Sequence, residues 1–146
     1  MWSQLSLWLL AALLLQGSLA LAVLLYLGFI RVPLIARGAV HLRDIALSRS
    51  AWPERAQQVA NAVDNQFQLP LLLYVAGFTA FYLGPSLFEV LLAWLFVVSR
   101  FVHAYIHVTD NHVIRRFIAY TTGVGLLSLL WLELLLRVVL GLLGIF

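Results

Sequence analysis

The chain has 146 residues, 64% of them hydrophobic and only 10% charged, with a mean hydropathy of +1.01. A water-soluble domain of that size has too little interior to hide so much apolar side chain, so lipid must cover much of the surface. Nine arginines and no lysine face six carboxylates, for a net charge of +3. In a membrane protein such an excess sets orientation and meets anions, and no interleaved basic and aromatic surface points to a nucleic-acid partner. With no cysteine, the chain supplies no disulfide, iron–sulfur cluster or thiol nucleophile, so any sulfur chemistry needs a thiol brought by a ligand.

Ser3 to Ile30 is almost continuously apolar, interrupted by Gln16, Gly17 and Ser18. The first basic residue, Arg31, follows the run instead of preceding it, so the stretch reads as a retained transmembrane helix over about 5–30 and not as a signal peptide. Gln16 is either an interhelical hydrogen-bonding group or a tolerated polar residue. Arg31 to Trp52 forms the first loop, with Arg31, Arg37, Arg43 and Arg49 and room for a short amphipathic helix in the headgroup region. Trp52-Pro53-Glu54 is a good helix start, with proline in the first turn and a carboxylate that suits the N-terminal dipole.

The second span is expected over 53–83 as one continuous helix kinked at Pro70. Gly84-Pro85-Ser86 ends it in a tight turn, a third span covers about 86–108, and a turn at Asp110-Asn111 leads to a fourth over about 113–142. The pattern predicts an all-α integral membrane protein, a single four-span domain over 1–146. The first loop and the third connection hold the arginines, while the N-terminus and the Gly84 turn hold none. The positive-inside rule then puts both basic loops in the cytoplasm and both termini outside.

On the second span Glu54, Gln57, Asn61, Asp64, Asn65 and Gln68 fall within a stripe about 100° wide. Amides and carboxylates at membrane depth are costly unless they meet one another, a cavity or a ligand. On the third span Arg100, His103 and His107 lie within about 60° of one another. Two histidines at i, i+4 with Asp110 nearby match a metal spacing, but Arg100, Arg115 and Arg116 disfavour a cation and no second ligand pair is evident, so no metal is expected. Two readings remain: histidines hydrogen-bonded to the amides of the second helix, or an anion site built from arginines and neutral imidazoles. Arg115 and Arg116, opening the fourth span, are either positive-inside anchors or catalytic groups that lower the pKa of a bound thiol and steady a developing anion. Glu133 and Arg137 have the spacing of a helical ion pair, and Glu89 is within reach of Arg137. Trp2, Trp8, Trp94 and Trp131 suit interfacial anchoring or packing, and Trp52 suits the cytoplasmic interface.

NQFQLP on the second span, RFVHAYIH on the third and RRF opening the fourth resemble the MAPEG superfamily, the membrane-associated proteins in eicosanoid and glutathione metabolism, particularly its bacterial branch. The resemblance is strongest over Glu54 to Tyr120. It implies a left-handed four-helix bundle assembled as a homotrimer in a bacterial inner membrane, with sites between neighbouring subunits open to the cytoplasmic side. It further implies glutathione as co-substrate, bound among Asn65, Gln68, Arg100, His103 and His107 with Arg31 as a further candidate for a glutathione carboxylate, and a thiolate stabilised by Arg115 or Arg116. Gln68 stands where the family usually has a glutamate, Asn61 where it usually has an arginine, and the two histidines where the eukaryotic enzymes tend to carry tyrosines.

The enzyme expected on this basis is a glutathione-dependent transferase or peroxidase acting on lipophilic electrophiles that enter from the bilayer. Catalysis would be thiolate stabilisation and proximity, since no side chain is an obvious nucleophile. The alternative is a non-catalytic binding or scaffold protein that holds a lipid or anionic metabolite, or docks on a membrane complex.

Overall fold

A computed structural model describes residues 2–145, and among them there are only helices, turns and short connections. Four helical rods are long and apolar enough to cross a membrane. The first, α1 (Gln4–Ala36), starts at Ser3, whose hydroxyl accepts the Ser6 N–H at 3.1 Å. It continues past Arg31 and Pro33, beyond the end expected at 30. Pro33 sits in the final turn, where one lost donor is tolerated. Gly38 then closes the helix at φ 69°, a left-handed value that costs glycine nothing. The Gly38 N–H donates to Ile35 O at 2.9 Å and the Ala39 N–H to Leu34 O at 3.0 Å, the paired bonds of a Schellman cap. The short helix expected in the loop is a single turn, α2 (Leu42–Ile45), with no buried residue.

The second span is two helices, α3 (Glu54–Gln66) and α4 (Leu69–Leu83), which corrects the expectation of one kinked rod. Pro70 has no N–H to offer the Gln66 carbonyl, and its ring clashes with that oxygen. The chain therefore leaves helical geometry after Gln66 and restarts with Pro70 in the first turn of α4, where no donor is needed. The break changes which amide is inside. Gln68, at φ −92° and ψ −89°, drops out of the polar stripe and is exposed. Gln66 is buried instead, and its Oε1 accepts from Gln16 Nε2 at 3.1 Å. Gln16 is thus an interhelical hydrogen-bonding group.

The third span, α5 (Leu87–Val108), begins with a capping box between Ser86 and Glu89, and the fourth, α6 (Val113–Leu142), begins at His112. Two apolar clusters hold the rods together. Leu9, Leu13, Leu73, Phe96 and Leu130 pack towards the Gly84 end, and Leu19, Val23, Val59, Val63 and Ala104 towards the arginine-rich end. The Gln16–Gln66 pair lies between them in sequence on both the first and the second span. Where α4 crosses α1, Gly77 has no room for more than hydrogen, because a Cβ there would lie 2.7 Å from Leu13 Cδ2.

At the Gly84 end Arg137 ties three segments together. Its Nη1 donates to Glu89 Oε1 at 2.6 Å, and its Nη2 donates to the carbonyls of Leu83 and Gly84 at 3.3 and 3.2 Å. The intrahelical Glu133–Arg137 pair expected from spacing is therefore replaced by a pair between α5 and α6. The tryptophans also pack: Trp94 Nε1 donates to Trp8 O at 3.1 Å and Trp131 Nε1 to Leu72 O at 3.2 Å. Trp52 is buried among Val40, Ala56, Ile30 and Leu34, with the Arg31 guanidinium 4.4 Å above its ring, so it seals the first loop and does not anchor an exposed interface.

Candidate functional site

The break before Pro70 also builds the site. Asn65 is in the last turn of α3, where backbone carbonyls lack an intrahelical donor. Arg100 supplies one: its Nη2 donates to Asn65 O at 3.0 Å. The Arg100 side chain is 0% exposed, with its Cζ 5.8 Å from the centre of the Tyr120 ring, and its Nε and Nη1 have no partner. One turn further along α5, His103 is 2% exposed, 5.9 Å from the Tyr120 ring and 5.5 Å from His107 in an edge-on arrangement. The Nδ1 atoms of both histidines are buried and unpartnered. Gln58 does reach α5, but its Nε2 donates to the backbone oxygen of His107 at 2.7 Å and not to an imidazole. The amide–histidine side-chain bonds of the first reading are thus absent among the described residues.

The two arginines opening α6 diverge, as neighbours about 100° apart on a helix must. Arg115 points outward, with 67% of its side chain exposed and its Nη1 3.5 Å from Asp110 Oδ2. It borders an apolar groove of about 580 Å³ between α5 and α6, lined by Leu95, Val98, Val102 and Ile118 among others. Arg116 points inward and lines a polar cavity of about 230 Å³ together with Asn65, His103, Val113, Phe117 and Tyr120. Asn111, in the left-handed region at φ 52°, holds it in place: its Oδ1 accepts from Arg116 Nη1 at 2.6 Å.

Of the residues singled out from sequence, Asn65, Arg100, His103, His107 and Arg116 come together at the ends of α3, α5 and α6. Gln68, Arg115 and Arg31 do not. Gln68 is exposed beyond the break, and Arg31 is stacked on Trp52 in the first loop. Asp64, on the same helix as Asn65, turns to the loop, where it pairs with Arg49 and holds that guanidinium above its ordinary pKa through the hydrogen bond and the adjacent negative charge. Sequence reasoning missed Tyr120 and Gln58, whereas Asn111 was legible as continuing the face of Arg100, His103 and His107. Tyr120 could have been found, because it lies one turn after Arg116 on the same face of α6.

Chemically, the arrangement is a candidate anion receptor. One guanidinium, one imidazole, an amide and a phenol line a small space near one end of a membrane bundle, with Arg100 and His107 buried close by. Among the described residues no group of three His, Asp or Glu side chains is placed to hold a metal ion. The profile of the MAPEG family matches residues 5–136, from the first turn of α1 to near the end of α6. The chain belongs to the MAPEG family. No curated protein and no solved structure matches it. Membership makes this MAPEG protein a four-helix, multi-pass integral membrane protein of the glutathione and eicosanoid metabolism superfamily. Every residue of the anion receptor lies inside the matched region of the MAPEG chain.

Proposed function

We propose that this MAPEG protein binds a glutathione-type thiol in the Arg116 cavity and transfers it to a lipophilic electrophile. The observation that carries the reading is the polar cavity lined by Arg116 and His103, with the fully buried Arg100 behind Tyr120, where Arg100 Nε and Nη1 and His103 Nδ1 have no protein partner. A buried cation without a counter-ion is costly, and a bound anion removes that cost. Arg116 stabilises the thiolate, so the thiol proton leaves on binding. The sulfur then attacks the electrophilic carbon, a C–S bond forms, and the leaving group departs with its bonding pair. Arg100, behind Tyr120, adds positive charge that favours the ligand's carboxylates, and His103, Asn65 and Tyr120 on the cavity wall orient it.

We further propose a homotrimer with the arginine-rich end in the cytoplasm and lipophilic substrates entering from the bilayer between subunits. The exposed amides Asn61 and Gln68, on helices that cross the membrane, support such an assembly, since polar groups at that depth are covered by neighbouring helices. A second reading, a non-catalytic receptor for an anionic lipid or metabolite, is favoured by the 2.6 Å bond between Arg116 and Asn111, which a thiolate would have to share.

Turnover of glutathione with an activated aryl halide separates the two. An enzyme shows saturable transfer that Arg116→Ala lowers by about 100-fold, the scale of a lost oxyanion-stabilising donor. Arg115→Ala changes it by no more than about fivefold, as expected of an exposed charge. Transfer no faster than the solution reaction would leave only the receptor.

A further inference from the structure

We infer that the cavity selects a thiol that carries carboxylates but no ammonium group. The inference rests on the thiol-binding reading above and narrows its substrate class. The charged side chains at the cavity are both basic, Arg116 on its wall and Arg100 against Tyr120 behind it, and His103 beside them is a neutral imidazole. Asn65 and Tyr120, the other polar lining groups, are neutral. A ligand ammonium placed here meets like charge in a region of low dielectric and has no carboxylate to offset it.

The chain has no carboxylate to lend. It contains six, and four are committed to arginines: Asp44 to Arg43, Asp64 to Arg49, Glu89 to Arg137 and Asp110 to Arg115. Glu133 lies beside Glu89, towards the Gly84 end. Among the described residues this leaves Glu54, exposed at the first turn of α3. It precedes Asn65 by about three helical turns, or about 16 Å along the axis. A neighbouring copy does not change this. In an assembly whose symmetry axis runs along the membrane normal, each residue of the neighbour lies at the same depth as its own counterpart, so a second Glu54 is equally distant in height.

Asp64 and Asp110 are paired with Arg49 and Arg115, and neither carboxylate lines the cavity. The favoured co-substrate class is therefore an acidic peptide thiol, or another carboxylated thiol, whose nitrogens are all acylated or absent.

Glutathione and glutaryl-cysteinylglycine test this directly, because the second is glutathione without its amino group. Both are titrated into the purified full chain in detergent, following the ultraviolet absorbance of the thiolate. The expected result is half-saturation by glutaryl-cysteinylglycine at a concentration at least about tenfold lower than by glutathione. Equal half-saturation, or tighter glutathione, overturns the inference while leaving thiol binding intact. No saturable thiolate from either compound overturns the thiol-binding reading itself, and the inference with it. Asn65→Asp places a carboxylate in the cavity wall and should shift the ratio towards glutathione by about tenfold or more. An unchanged ratio in folded Asn65→Asp protein would overturn the charge argument. The comparison on the unaltered protein stands by itself if that variant does not fold.

Discussion

Arg100 is a charged side chain with no accessible surface and one hydrogen bond, to the Asn65 carbonyl. Two of its nitrogens are buried with nothing to donate to. Replacing a buried, incompletely paired ion by an apolar side chain of similar length is often neutral or stabilising, by about 1–4 kcal/mol. Arg100→Met should therefore leave the thermal stability of the ligand-free protein unchanged or raised, and should remove any further rise on adding an anionic thiol. A clear fall in Tm without ligand would mean that Arg100 serves chiefly to close the end of α3. The grouping of Arg100 with His103 and His107 was legible in the sequence because α5 is unbroken, and 3.6-residue periodicity suffices to stack three side chains on one face. The choice between Arg115 and Arg116 was not legible. It depends on how α6 is rotated against α5, and packing at Ala119, Gly123 and Leu127 determines that rotation.

The same division holds for whole elements. Lengths and turns followed from local chemistry: the Ser86 capping box, the Gly84 turn and the run of apolar residues from Leu5 to Ile30. The break between α3 and α4 has an equally local cause in Pro70, but its consequence is long-range, since a two-residue break at Phe67 and Gln68 exchanges Gln68 for Gln66 as the inward amide. Of the Arg137 tie, the Glu89 partner was legible as within reach, and the two turn carbonyls were not. Helical spacing favours Glu133, yet the fold brings Glu89 to 2.6 Å and adds two carbonyls from the turn after α4. Glu89 is fully buried, so removing its partner leaves an uncompensated charge inside the bundle. Arg137→Ala should destabilise the protein by about 3–5 kcal/mol, and the double replacement Glu89→Leu, Arg137→Leu should recover most of that loss. Reversible unfolding in mixed detergent micelles measures both. A double variant as unstable as Arg137→Ala would show that the carbonyl bonds, and not the ion pair, hold the end together.

At the scale of the molecule, the four rods bury two apolar clusters and turn most of their remaining leucines and phenylalanines outward, and α3, α5 and α6 bring polar groups to one cavity. The architecture was readable from hydropathy alone, and MAPEG membership accords with it. What the cavity holds was less readable, because its character depends on the rotation of α6 against α5, which leaves Arg116 inside and Arg115 outside. The central claim is that Arg116 stabilises a bound thiolate. Titrating glutathione into the purified protein near neutral pH, with the thiolate absorbance as readout, tests it most directly when repeated on Arg115→Ala and Arg116→Ala. The account predicts a saturable signal approaching one thiolate per chain, retained in Arg115→Ala and lost in Arg116→Ala. A signal that survives in Arg116→Ala, or one that disappears only in Arg115→Ala, would contradict it.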